Sequence, residues 1–204
     1  MPTRLRCISQ DRFLILKLES EDGLPRIERG LLAQLCRQFE ALAANREYSG
    51  CIITGTEKAF AAGADINDLL KLTPTAARDF SREGQSVLRA IERSRAPVIA
   101  AIQGYCIGGG LDLALACHAR IATPDAIFAH PGGSLGILTG WGGTQRLARL
   151  IGRALALEML ATGRKLDAHE ALDGDLIRKV VSKDHLIPTA TGLLALRAGY
   201  RVST

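Results

Sequence analysis

The chain lacks any apolar run of membrane-spanning length. Its longest uncharged apolar stretch, Ala96–Ile102, falls far short of the ~20 residues a span requires. It also lacks the apolar core of a secretion signal: Met1–Phe13 carries Arg4, Arg6, Asp11 and Arg12. The expected location is therefore the cytoplasm. Five cysteines (Cys7, Cys36, Cys51, Cys106, Cys117) include no CxxC pair and no metal-ligand spacing with His118, His130, His169 or His185, so no metal is expected. An odd cysteine count without an export signal points to reduced thiols. Cys36, Cys51 and Cys117 sit in apolar runs and read as small buried hydrophobes. No GxGxxG, GxxxxGKS or GxxxxGKT fingerprint is present, which leaves no nucleotide-binding signature.

Charge of one sign is also scarce. Lys and Arg number 26 against 21 Asp and Glu, a formal balance of +5. The basic residues are scattered, and the densest group, Arg89–Arg95, is interrupted by Glu92. No basic stripe with interleaved aromatics marks a nucleic-acid surface; a phosphorylated small ligand fits the sign equally well. Hydrophobic residues at 47% and charged residues at 23% exclude intrinsic disorder.

What the chain has in excess is glycine, 21 of 204 residues. Gly104, Gly108, Gly109, Gly110, Gly132, Gly133, Gly136, Gly140, Gly142 and Gly143 crowd one region without a repeat. That pattern marks places where backbone comes close to something, rather than a linker or collagen.

Phe13–Leu18 and Cys51–Thr54 read as strands, and Pro97–Ile102 as a buried strand opened by proline. Leu32, Leu35, Phe39 and Leu42 form one helix face. Phe60–Ala64 reads as a loop of small residues before a helical start at Asp65. Pro74 breaks the chain, and Phe80, Val87, Leu88 and Ile91 fit a further helix. Gly104–Gly110 reads as a turn into a helix over Leu111–Cys117, followed by strands at Arg120–Thr123 and Ile127–Ala129. Pro131–Gly143 reads as a long loop, with helices at Thr144–Ile151 and Arg153–Thr162. Asp167 with Glu170 predicts a capping box, Gly174 a left-handed stop, Leu176–Val181 a strand, and the region around Leu193 a last helix. Strands alternating with helices predict an α/β fold with right-handed crossovers.

Two segments carry chemistry. In Tyr105–Asp112 a buried strand runs into three glycines and a helix, whose first N–H groups have no partner within the helix. In Phe60–Ile66 another strand feeds a small-residue loop and a helix. Either alone reads as an ordinary strand-to-helix turn. Together they offer N–H groups from two loops to one oxygen, which is an oxyanion hole.

These segments also carry a resemblance. Phe60–Ile66 (FAAGADI), Pro97–Gly110 (PVIAAIQGYCIGGG), Phe128–Pro131 (FAHP), Leu135–Gly136 and Gly142–Leu147 (GGTQRL) resemble the crotonase, or enoyl-CoA hydratase/isomerase, superfamily. The likeness runs from about Phe13 to Pro188. It implies a ββα spiral with roughly perpendicular sheets surrounded by helices. Residues 1–188 would form the core domain, and residues 189–204 a C-terminal helical segment shorter than the family's. It implies an acyl-CoA thioester substrate, with coenzyme A as part of the substrate and no separate cofactor. A homo-oligomer, trimer or hexamer, is implied too.

By the same resemblance the oxyanion donors are the N–H groups of Ala64 and Gly109, and Asp112 is the acid/base. Ala62, Asp65, Ile66 and Asn67 would line the coenzyme A moiety. The family's second carboxylate falls at position 132, which is glycine here. His130 is the nearest titratable side chain to that gap, with packing as its other role, and Trp141 would wall the acyl pocket. The implied function is a thioester enolate enzyme of the hydratase/isomerase type, with isomerase, decarboxylase and hydrolase chemistry all open. The alternative is a non-catalytic acyl-CoA-binding or assembly subunit. A third reading, RNA binding, rests only on the charge balance.

Overall fold

Two five-residue strands have no solvent face: every residue of β3 (Gly50–Thr54) and β5 (Val98–Ile102) is buried. Strands covered on both sides read as unbroken apolar runs rather than alternating ones. The computed structural model, which describes residues 2–44 and 46–199, shows what covers them. One face, with Leu14, Leu16, Ile53, Ala100 and Ile102, joins the main core. The other face, with Phe13, Ile15, Ile52, Ile99 and Ile121, packs on Leu186, Ala190 and Leu194 of α8 (Lys183–Gly199).

The first sheet has five strands in the order β1 (Arg4–Gln10), β2 (Phe13–Glu19), β3, β5, β7 (Ala119–Ala122), parallel except for the β1–β2 hairpin. The second has four short strands, β4 (Ala59–Ala61), β6 (Tyr105–Ile107), β8 (Ile127–Ala129) and β9 (Lys165–Leu166), with only β9 antiparallel. Three successive units share one plan. A strand in the first sheet (β3, β5, β7) is followed by one in the second (β4, β6, β8), and then by helical chain. That chain is α2 (Ile66–Leu69) and α3 (Pro74–Glu92) in the first unit, and α4 (Gly109–Ala116) in the second. In the third it is a 3₁₀ turn (Pro131–Leu135) with α5 (Gly143–Ile151). Helices α1 (Arg29–Ala44), α6 (Arg153–Thr162) and α7 (Ala168–Asp173) complete the described elements.

Helix α4 is the central one. Gly110 to Ala116 are all buried, and the helix packs on α3, α5, β4 and β6. A helix apolar around its whole circumference belongs in a core. Its C-terminal end is held by Arg120, which is 5% exposed. The guanidinium donates to Cys117 O at 2.9 Å, Ala114 O at 3.4 Å and Leu176 O at 2.7 Å. A cation at the negative end of the helix dipole is favourable. Arg120→Met would strand these buried carbonyls, and the expected loss is about 2–4 kcal/mol, measured by urea unfolding. An unchanged midpoint would show that the clasp contributes nothing.

Several expectations need correction. Residues 59–61 are a strand, so the expected loop at Phe60–Ala64 begins only after Ala61. Residues 105–107 are a strand inside the expected turn Gly104–Gly110. Pro74 separates α2 from α3 as expected, and it is itself the first residue of α3, with Thr73 capping the helix through Ala76 N. The capping box at Asp167 and Glu170 is present, but Gly174 has φ −86, and the left-handed residue is Asp175 at φ 59. Leu176–Val181 is not a strand: it follows β7 through Arg178 N to Arg120 O and Val181 N to Ala122 O, and forms one bridge, Ala122 with Val180. Cys36 is half-buried, and Cys106 is buried along with Cys51 and Cys117. Helix α8 runs unbroken through positions 188 and 189. No described helix is long and apolar enough to cross a membrane.

Candidate active site

The glycine triplet performs three different tasks. Gly108 takes φ +54, a backbone shape that side-chain-bearing residues rarely adopt. Gly109 lies under the indole of Trp141, where a Cβ would stand 2.4 Å from the ring. Gly110 lies against β4, where a Cβ would stand 2.3 Å from Ala61 O. The result is a helix whose first turn is pressed into the site. The other loop meets it there: a Cβ on Gly63 would lie 3.4 Å from Gly109 N. Gly109 opens α4, so its N–H has no acceptor within that helix.

Both loops line one cavity of about 430 Å³. Its walls include Ala62, Ala64, Ile66, Gly109, Asp112, His130 and Trp141, so seven of the expected site residues come together. Two do not. Asp65 lines a neighbouring cavity beside Arg29 and Lys71; its carboxylate caps α2 through Asn67 N at 2.8 Å and lies 3.8 Å from Arg26. Asn67 is exposed and lines neither cavity. Trp141 is 5% exposed, meets Phe80 edge-on at 5.2 Å and donates its indole N–H to Phe80 O. It forms a fixed wall.

Asp112 is fully buried on α4. Thr139 donates its hydroxyl to Oδ2. Burial pushes the carboxyl up to about 7, against the opposing pull of the Thr139 hydrogen bond and the Arg146 charge. His130 is 3% exposed, and burial pulls its imidazole down to about 4. His130 Nε2 lies 3.4 Å from Asp112 Oδ1, and neither atom has a hydrogen-bond partner.

Gly132 sits where the chain turns back on itself. A Cβ there would stand 2.6 Å from Ile137 O, so a longer side chain needs the loop to move. Among the described residues no three His, Cys, Asp or Glu side chains gather into a metal cluster.

Sequence reasoning did not single out Thr139 or Arg146. Thr139 is 27 positions from Asp112 and meets it only through the fold. Arg146 stands inside the GGTQRL motif and fixes the loop by donating to Trp141 O at 2.7 Å and Glu92 at 3.0 Å.

A ββα spiral surrounded by helices, with two glycine-bearing loops and a buried carboxyl on one cavity, defines a protein of the crotonase class. Residues 14–197 match the family Enoyl-CoA hydratase/isomerase, and the chain belongs to that family. It is 37% identical over 186 residues to the "Probable enoyl-CoA hydratase, mitochondrial" of Dictyostelium discoideum, covering 91% of this chain and 66% of that one. It is 37% identical over 180 residues to the crotonyl-CoA hydratase of Syntrophomonas wolfei, covering 88% and 69%. The chain thus spans about two thirds of the length of these relatives. The crystal structure of an enoyl-CoA hydratase from Bacillus anthracis superposes with a TM-score of 0.89 at 32% identity, covering 97% of this chain and 77% of the other.

Proposed function

We propose that the chain processes acyl-CoA thioesters through an enolate. In this reading the thioester oxygen sits between the N–H groups of Ala64 and Gly109, and Asp112 moves the proton at the α-carbon. The observation that carries it is the position of Asp112, a buried carboxyl held by Thr139 on the cavity that both loops reach. Donors aimed at developing negative charge in a water-poor site are the main catalytic device of such chemistry. An acyl chain suits the wall of Phe80, Ile137, Leu138, Trp141 and Leu160. Ala62 and Ile66 would follow the coenzyme A moiety outward, with Asp65 beyond them. Coenzyme A enters as part of the substrate, and no separate cofactor is needed. Self-association as a trimer or hexamer belongs to the same reading, supported by the exposed Leu70, Leu157 and Leu196, which lie outside the cavity.

Gly132 favours a second reading. With one carboxyl fewer than the family's hydratases use, the chain would be a non-catalytic acyl-CoA-binding or assembly subunit. Deuterium exchange at the α-carbon of butyryl-CoA separates the two, because exchange needs an enolate and one proton-transfer group but no second acid. The expected result is exchange catalysed by the wild-type protein. Tight binding of butyryl-CoA with no exchange above the solvent rate would sink the enzyme reading and leave the binding subunit.

A further inference from the structure

We propose that His130 is the second proton-transfer group of this site, paired with Asp112 so that the enzyme hydrates the double bond of an enoyl thioester. The inference rests on the enolate reading above and adds a residue and a reaction to it.

The geometry is unusual for side chains that serve packing alone. His130 Nε2 and Asp112 Oδ1 are both buried, both unpartnered, and 3.4 Å apart. Leaving such atoms unsatisfied is costly, and native structures keep few of them without a reason. Both residues line the cavity, so a water or a substrate atom on the cavity side of the pair, touching both, would complete their bonding. His130 stands at the start of the 3₁₀ turn, two positions before the glycine whose surroundings leave no space for a carboxylate. The imidazole thus reaches the cavity from the segment that lacks the second acid.

The charged and titratable groups around the pair are few. Arg146, from α5, lowers Asp112 but is itself tied to Trp141 O and Glu92. Cys106, on β6, is buried with its thiol pushed far up, so it stays neutral. Thr139 occupies the other oxygen of Asp112. Burial therefore sets the two partners in opposite senses: the imidazole is neutral above about pH 4, and the carboxyl is protonated below about pH 7. Between those limits one is a base and the other an acid.

Hydration then balances as follows. A water on the cavity side of the pair gives a proton to His130 Nε2 as its oxygen bonds to the β-carbon. The π electrons move to the thioester oxygen, held by Ala64 and Gly109. The Asp112 carboxyl gives its proton to the α-carbon, and the enolate returns to thioester. His130 is left as imidazolium and Asp112 as carboxylate, 3.4 Å apart. Transfer of the proton from Nε2 to Oδ1 restores both. Water has been added, and nothing else is consumed.

The test reads two reactions side by side in the full chain: crotonyl-CoA hydration and butyryl-CoA α-proton exchange. His130→Gln keeps the size of the side chain and hydrogen bonding but has no basic nitrogen. It is expected to lower kcat for hydration at least ~100-fold more than it lowers exchange, with KM for crotonyl-CoA within a few fold. In the wild type, kcat/KM for hydration should fall as pH rises through about 7, where the acid form of Asp112 is lost. Exchange, which uses the carboxylate, should rise over the same range. Hydration at the wild-type rate in His130→Gln overturns the proposal. So does a wild type that exchanges butyryl-CoA but cannot hydrate crotonyl-CoA, and so does equal loss of both reactions in His130→Gln, which would make His130 a support for Asp112. None of these touches the enolate reading, which fails only if the wild type does not exchange.

Discussion

Asp112→Asn is expected to slow α-proton exchange of butyryl-CoA by roughly 10²–10⁴ while acyl-CoA affinity barely changes. The substitution keeps the outline of the side chain and a hydrogen-bond acceptor for Thr139, but removes the group that titrates. A purely structural carboxyl near a helix start would contribute only about 0.3–1 kcal/mol through the dipole, so the two roles differ greatly in what an assay reads. Asp112→Glu is the companion probe. A Cβ placed on Gly143 would collide with Asp112 Oδ1, which shows how tightly the carboxyl is enclosed. The longer side chain must displace Thr139 or the start of α5, and it is not expected to improve turnover. Exchange retained within a few fold in Asp112→Asn would remove Asp112 from the mechanism.

The same variant has an expected gain in stability. The folded protein holds Asp112 protonated to about pH 7, whereas an unfolded chain ionises it near 3.8. Between those values the native state binds the extra proton, so this contribution to stability is fully present below the lower limit and is lost as pH rises through about 7. His130 runs in the opposite sense: its contribution is present above about 6.5 and is lost as pH falls through about 4. Asp112→Asn removes only the first. Its stability relative to the wild type should therefore grow from pH 4 to pH 8, by on the order of 4 kcal/mol at the upper limit set by the pKa difference. Denaturant midpoints at the two pH values measure it. A site that costs stability at working pH and returns it when disarmed is functional rather than structural.

The parts of the fold legible in the sequence were those whose burial is one-sided in helices or two-sided in strands. Leu32, Leu35, Phe39 and Leu42 marked α1, and the apolar runs marked β2, β3 and β5. Strand β1 was not legible because five of its seven residues are exposed, and it is joined to β2 by a turn with Asp11 in the left-handed region. The second sheet was legible only at β8, because its strands are three residues or fewer, too short to show alternation. The two loops and Asp112 were legible as site residues because close backbone approach requires small residues in a recognisable order. The facing of His130 and Asp112 was not, since it depends on β8 pairing beside β6 in the second sheet. Arg120 was read as one scattered charge because nothing local marks an arginine whose partners are carbonyls at Ala114, Cys117 and Leu176.

Gly109→Pro is expected to reduce exchange by about 10²–10³, the usual effect of losing one donor to a developing oxyanion. Proline suits the first position of a helix, where its missing N–H leaves no helical bond unmade, and Gly109 opens α4. Its ring, however, brings a Cβ to the place where Trp141 stands 2.4 Å away. Crowding alone could account for part of a loss, so the comparison that matters is with Gly109→Ala. Alanine brings the same Cβ and keeps the N–H. The Trp141 ring is held by Phe80 O and by Arg146 on its own carbonyl, and it has little freedom to retreat. Gly109→Ala should accordingly lose about 1–3 kcal/mol of stability by overpacking while keeping measurable turnover. Setting both substitutions in a Trp141→Leu background relieves the contact equally for the two, and the remaining gap between Ala and Pro isolates the hydrogen bond. Circular dichroism shows whether each variant is folded. Equal turnover by folded Ala and Pro variants in that background would show that the thioester oxygen does not rest on Gly109, and the charge would have to be met by another donor on the cavity wall.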